Sequence, residues 1–163
     1  MTELDTLLQT AAQRAQQQGL PYAGLLLPTE AAALLAMPEA DAVLVDVRSA
    51  AEWQFVGQVP QAVHIEYKSF PGMVLNPNFI SSLKAQVPSE KKVLFLCRSG
   101  ARSHDTACLA AAEGYTAFNI LEGFEGDCDA QGHRGTVNGW KVCGLPWQQV
   151  NHFVIAFLGK CLL

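Results

Sequence analysis

Cys97 stands where an apolar run stops: "KKVLFLC" is followed by "RSGARS" and then by the alanine-rich "HDTACLAAAEGY". A thiol between the end of a strand and the start of a helix lies where open α/β sheets bind their ligands. Gly100 permits backbone conformations that other residues resist. The amides of Arg98, Ser99, Gly100, Ala101 and Arg102 can therefore turn inward as a cradle for an anion. The positive end of the helix dipole reinforces that cradle, and the guanidinium groups of Arg98 and Arg102 add permanent charge. Each feature favours thiolate over thiol, so Cys97 is expected to be a nucleophile. In such a nest it can also hold an extra sulfur as a persulfide, its terminal atom ringed by amides.

The loop needs a sheet behind it. "KKVLFLC" and "DAVLVDVRS" read as buried parallel strands, and shorter strands are expected near Leu25–Leu27, over Ala62–Ile65 and in "TAFNILEG". Between them fall helical stretches. Thr29 is the expected N-cap of one, with Glu30 in its first turn, and Asn76-Pro77 the expected start of another. "AEWQF" gives a short helix, and "ARSHDTACLAAAEG" a longer one closed by Gly114. Strands alternating with helices predict an α/β fold, its mainly parallel sheet covered on both faces. Leu4, Leu7, Leu8, Ala11, Ala12 and Ala15 recur at helical spacing and predict an amphipathic helix over 1–20. The central domain spans 21–149. The apolar tail 150–163 reads as a terminal helix, docked on the core or on a second subunit; its uncharged run is far short of the roughly 18 residues that span a membrane.

Composition removes several classes of function. Apolar residues are 50% of the 163-residue chain and charged residues 16%, which fits one compact domain rather than disorder. A net charge of −4 offers no general attraction to nucleic acid or to an anionic membrane. Five cysteines without a close CxxC pair, and no signal peptide, point to free thiols in a reducing cytoplasm. Monomer and homodimer both remain open.

The loop "CRSGARS" resembles the active-site loop of the rhodanese family of sulfurtransferases. Upstream, "LVDVRSAAEWQFVGQVPQAVHI" is similar to that family's second signature, matched by Asp46, Arg48, Glu52, Gly57, Pro60 and Ala62. "LEGFEG" and "GWKVCGLPW" are similar to the closing segments of single-domain rhodaneses. The resemblance implies a central five-stranded parallel sheet with flanking helices and a double displacement without cofactor or metal. Cys97 would take a sulfane sulfur from a donor such as thiosulfate and pass it to cyanide, a small thiol or a protein thiol. By the same resemblance Asp46 and Arg48 brace the loop; the plainer reading of Arg48 is an exposed strand-end pair. Glu52 either pairs with a loop arginine or faces solvent.

Two other readings share the fold. Cysteine-dependent phosphatases use C-x5-R, whereas here Cys97 and Arg102 are separated by four residues and Ser103 falls where that arginine would stand. The shorter ring suits one sulfur and crowds a phosphoryl group. Many relatives in this fold class have lost the cysteine and serve as binding or regulatory modules; this chain keeps it, and an interaction role, beside catalysis or instead of it, is the alternative reading. His104, seven residues beyond Cys97, reads as a surface residue rather than a base. "DCDAQGHRG" imitates a calcium loop but has Asn138 where a glutamate is needed, so an ordinary loop is expected. Cys128 in that loop is a candidate second thiol near the pocket, Cys108 a small core residue, and Trp140 and Trp147 packing or rim residues.

Overall fold

The computed structural model describes residues 1–149, so the tail helix expected over 150–163 lies outside the described residues. The chain opens with α1 (Glu3–Gln17), β1 (Gly24–Leu26), α2 (Pro28–Leu35), β2 (Ala42–Asp46) and α3 (Ala50–Phe55). It continues through β3 (Val63–His64), β4 (Lys68–Ser69), β5 (Val74–Leu75), α4 (Phe79–Gln86), β6 (Lys92–Leu96), α5 (Ala101–Ala112) and β7 (Thr116–Ile120). Five strands form one parallel sheet in the order β1-β7-β6-β2-β3, and β4 and β5 pair apart from it as an antiparallel hairpin. The expected sheet and the covering of both its faces are as described.

Both faces of the central strands are apolar because both are buried. Along β6, Val93 and Phe95 join one core cluster with Phe79, Leu83, Ala107 and Ala110, while Leu94 and Leu96 join the other with Ala11, Ala31 and Leu34. Thus α4 and α5 cover one face and α1 and α2 the other. Each fully buried leucine contributes about 1.5–3 kcal/mol on leaving water. Placing β6 in the middle with Cys97 one residue past its end gives the thiol the firmest support the fold offers.

Helix starts differ from expectation by small, explicable amounts. Pro28, with its fixed φ, opens α2, so Leu27 is the N-cap position and Thr29 is already inside. Glu30 stays in the first turn, accepts from the Leu27 amide at 2.8 Å and holds Arg14 of α1 at 2.6 and 2.9 Å. Asn76-Pro77 precede α4 rather than start it, because the Asn76 side chain accepts from Asn78 N at 3.0 Å and closes a local turn. The hairpin was not legible, since its strands are two residues each. No described helix is long and apolar enough to cross a membrane.

Candidate active site

Cys97 is 1% exposed at the floor of a cleft of about 880 Å3. Its Sγ accepts hydrogen bonds from the amide of Gly100 at 3.1 Å and from the hydroxyl of Ser103 at 3.2 Å. Gly100, at φ 102°, is the N-cap residue of α5, a conformation that favours glycine and lets the loop close behind the sulfur. The amides of Arg98, Ser99, Ala101 and Arg102 have no acceptor among the described residues, and all four residues line the cleft. One amide of the expected cradle thus holds the thiol, and the others are uncommitted at the amino end of a helix, where an anion is stabilised.

The two loop arginines differ. Arg98 is exposed and makes no ion pair among the described residues. Arg102 is nearly buried and grips Glu52 in two bonds of 2.8 and 2.7 Å. Glu52 does not face solvent. It also accepts from the Ser49 amide and hydroxyl at 2.9 and 3.0 Å, completing the capping box of α3. Burial pushes the Glu52 carboxyl up, but the hydrogen bonds and charge of Arg102 and the bonds from Ser49 outweigh it and bring it down to about 2. Arg102 is therefore mostly spent inside the protein, which corrects the expectation that both arginines present free charge to a substrate.

Asp46 and Arg48 are fully buried, so Arg48 is not an exposed strand-end pair. Arg48 Nε and Nη2 reach Asp46 at 3.0 and 2.7 Å, and Nη2 also donates to the Gly57 carbonyl at 2.9 Å. Its guanidinium carbon lies 4.0 Å from the centroid of the Phe124 ring. The Phe124 amide donates to the Cys97 carbonyl at 2.8 Å, and the Glu125 amide to the Arg98 carbonyl at 2.9 Å. The pair thus reaches the loop through Phe124, one residue removed from direct contact.

Several residues that hold the loop carried no such reading in the sequence. Asn119 in β7 donates to the Gly100 carbonyl at 3.3 Å. Gly123, at φ 63°, lies so near the loop that an added Cβ would come within 2.5–2.6 Å of Cys97 O, Arg98 C and Ser99 N. Ser103, which stands where a phosphatase loop would carry its arginine, instead donates to Sγ. The one available signal was Ser49-x-x-Glu52, a capping-box spacing. Lys68, Phe70 and Met73 of the hairpin, with Glu125 and Arg134, complete the cleft walls.

The remaining sequence candidates fall outside the cleft. His104 is half-buried, its Nδ1 2.9 Å from the Tyr22 hydroxyl, and Cys108 Sγ lies 3.8 Å from its Nε2. Cys128 is exposed and does not line the cleft; its loop reaches the rim through Gly132 and Arg134. Asp129 accepts from Gln131 N, His133 N and Thr136 Oγ1, so its oxygens hold the loop's own turns. Trp140 is buried and donates to the Pro146 carbonyl at 2.9 Å, while Trp147 packs edge-on against Phe124 at 6.1 Å.

The model of the rhodanese-like domain matches residues 27–130, and the chain belongs to that family. The uncharacterized protein RP600 of Rickettsia prowazekii is 38% identical over 114 residues, 66% of this chain and 84% of that one. The crystal structure of Rv0390 from M. tuberculosis is similar with a TM-score of 0.72 at 43% identity, covering 79% of this chain and 99% of the other. The Alr3790 protein from Anabaena, at 12% identity and TM-score 0.54 over 83% of this chain and 90% of that one, shares the fold.

Proposed function

We propose that the chain is a sulfurtransferase that carries sulfur on Cys97. The observation that supports this most is the thiol seated on the Gly100 amide and the Ser103 hydroxyl, with uncommitted amides beside it at the cleft floor. In the first half-reaction the Cys97 thiolate attacks the outer sulfur of thiosulfate. The S–S bond breaks, its electron pair leaves on sulfite, and Cys97 is left as a persulfide. The free amides of Arg98, Ser99, Ala101 and Arg102 then hold the added sulfur anion. In the second half-reaction cyanide or a thiolate attacks that outer sulfur and the electron pair returns to Cys97 Sγ. No net oxidation occurs and no cofactor is called for.

In this reading Cys97 is the catalytic residue and Arg98 draws the anionic donor toward the loop. Glu52 and Arg102 fix the loop's shape, with Asp46 and Arg48 behind them. The donor is a small sulfane-bearing molecule, the acceptor cyanide or a small or protein thiol, and the setting a reducing cytoplasm, in keeping with the free cysteines among the described residues. The ring of four residues between Cys97 and Arg102, one short of the phosphatase loop, favours sulfur over phosphorus. Thiocyanate formation from thiosulfate and cyanide tests the proposal. The wild type is expected to turn over and Cys97→Ala to give none; an active Cys97→Ala would end it.

A further inference from the structure

The hairpin β4–β5 brings Phe70 and Met73 to the cleft lining, 67% and 44% exposed, with Val74 and Leu75 next to them in β5 at 63% and 56%, and no described residue covers this apolar row. Contiguous exposed apolar side chains rimmed by polar ones mark contact surfaces. Three cations share that cleft. Lys68, Arg98 and Arg134 line it and make no ion pair among the described residues, while Arg102 is neutralised by Glu52. Glu125 is the one further acid on the lining. A chain of net charge −4 thus turns a locally positive, apolar-lipped face toward its thiol. Thiosulfate needs neither the lip nor a cleft of about 880 Å3.

We propose that this face docks an acidic polypeptide segment carrying the acceptor cysteine. The inference rests on the sulfur-transfer reading above and names the acceptor. Charge complementarity selects an acidic partner, and the apolar lip selects one with leucine-like side chains near its cysteine. The depth of Cys97 requires a segment thin enough to enter. A bilayer surface cannot enter a cleft to reach a thiol that is 1% exposed, and it brings no thiol of its own. In the transfer, the partner thiol ionises to solvent and its thiolate attacks the outer sulfur of the Cys97 persulfide. The persulfide S–S bond breaks, its electron pair stays on Cys97 Sγ, and the partner leaves as a persulfide.

The test loads the full chain with thiosulfate, removes the excess and follows discharge by intact mass. Three acceptors are compared: a peptide with one cysteine among Asp, Glu and Leu, its counterpart with Lys for the acids, and dithiothreitol. The acidic peptide is expected to discharge Cys97 about tenfold faster than the basic one at low salt. The Val74→Ser/Leu75→Ser double variant should cut the acidic-peptide rate about fivefold while loading and dithiothreitol discharge hold. Lys68→Gln should narrow the preference between the peptides. Equal peptide rates, or a preference that Lys68→Gln leaves intact, would overturn the proposal whatever the double variant does to the fold. So would phosphatidylserine-vesicle binding or self-association in sedimentation, if the double variant abolished either and left the peptide rates alone. A chain that cannot be loaded refutes the sulfur-transfer reading itself; a loaded chain indifferent to peptide charge refutes this inference alone.

Discussion

On one side of the cleft the loop from Cys97 to Arg102 is tied down at four of its six residues. The Cys97 and Arg98 carbonyls take amides from the segment 124–126, Gly100 is held by Asn119, and Arg102 by Glu52. On the other side the hairpin is fixed at its base, where Asn76 bonds to Tyr67 and Glu66, and its tip carries apolar side chains into solvent. The contrast separates two tasks. A cradle for a sulfur anion works only if its donors stand ready before the charge arrives, so that wall is over-determined. A wall proposed to dock an acidic segment needs exposed surface rather than donors fixed in advance. Perturbations should therefore be large on the first side and small on the second.

The largest effect is expected at Gly123→Ala. The residue sits at positive φ, and its Cβ would press on the backbone of the loop itself. A loss on the order of 3 kcal/mol or more is expected, read as a drop in melting temperature together with lost transfer. Arg102→Ala comes next, at about 2–4 kcal/mol, because it strands the mostly buried Glu52 carboxylate. The same pair gives a pH signature. Glu52 is held at about 2 against an ordinary 4.5, so its contribution is complete above the unfolded value and is lost as pH falls from there toward the folded one. Chemical denaturation across that range should show the loss in the wild type and a flatter profile in Glu52→Gln.

Ser103→Ala removes one of the two bonds to Sγ and little packing. Alkylation of Cys97 at neutral pH should slow about tenfold, with the melting temperature nearly unchanged. The smallest stability change is expected across the cleft. Val74→Ser on the hairpin should stay within about 0.5 kcal/mol, and a larger loss there would erase the difference between the two walls.

How much of this lay in the sequence follows the same division. The sheet was legible because "VLFL" and "AVLV" are short, wholly apolar runs bounded by charge, and Cys97 was legible because it follows the stronger of them. Glu52 was half-legible: its place three residues after Ser49 marks a cap, but the partner fifty positions away at Arg102 exists only in the fold. Arg48 was misjudged in one of its readings because a charged residue at a strand end is ordinarily exposed. Nothing local announces that Phe124 will lie under it. Asn119 and Gly123 support the loop from β7 and the turn beyond it, contacts made by sheet order rather than by spacing. The hairpin was invisible, since two-residue strands carry no period.

The account stands on the thiol in its cradle being able to take and hold one sulfur. Incubating the purified chain with thiosulfate and weighing it intact tests this most directly. The expected result is a gain of one sulfur atom, mapped to the peptide containing Cys97, removed by cyanide and absent in Cys97→Ala. An unchanged mass, or the same gain at Cys128 or Cys143 with Cys97 unmodified, would contradict it.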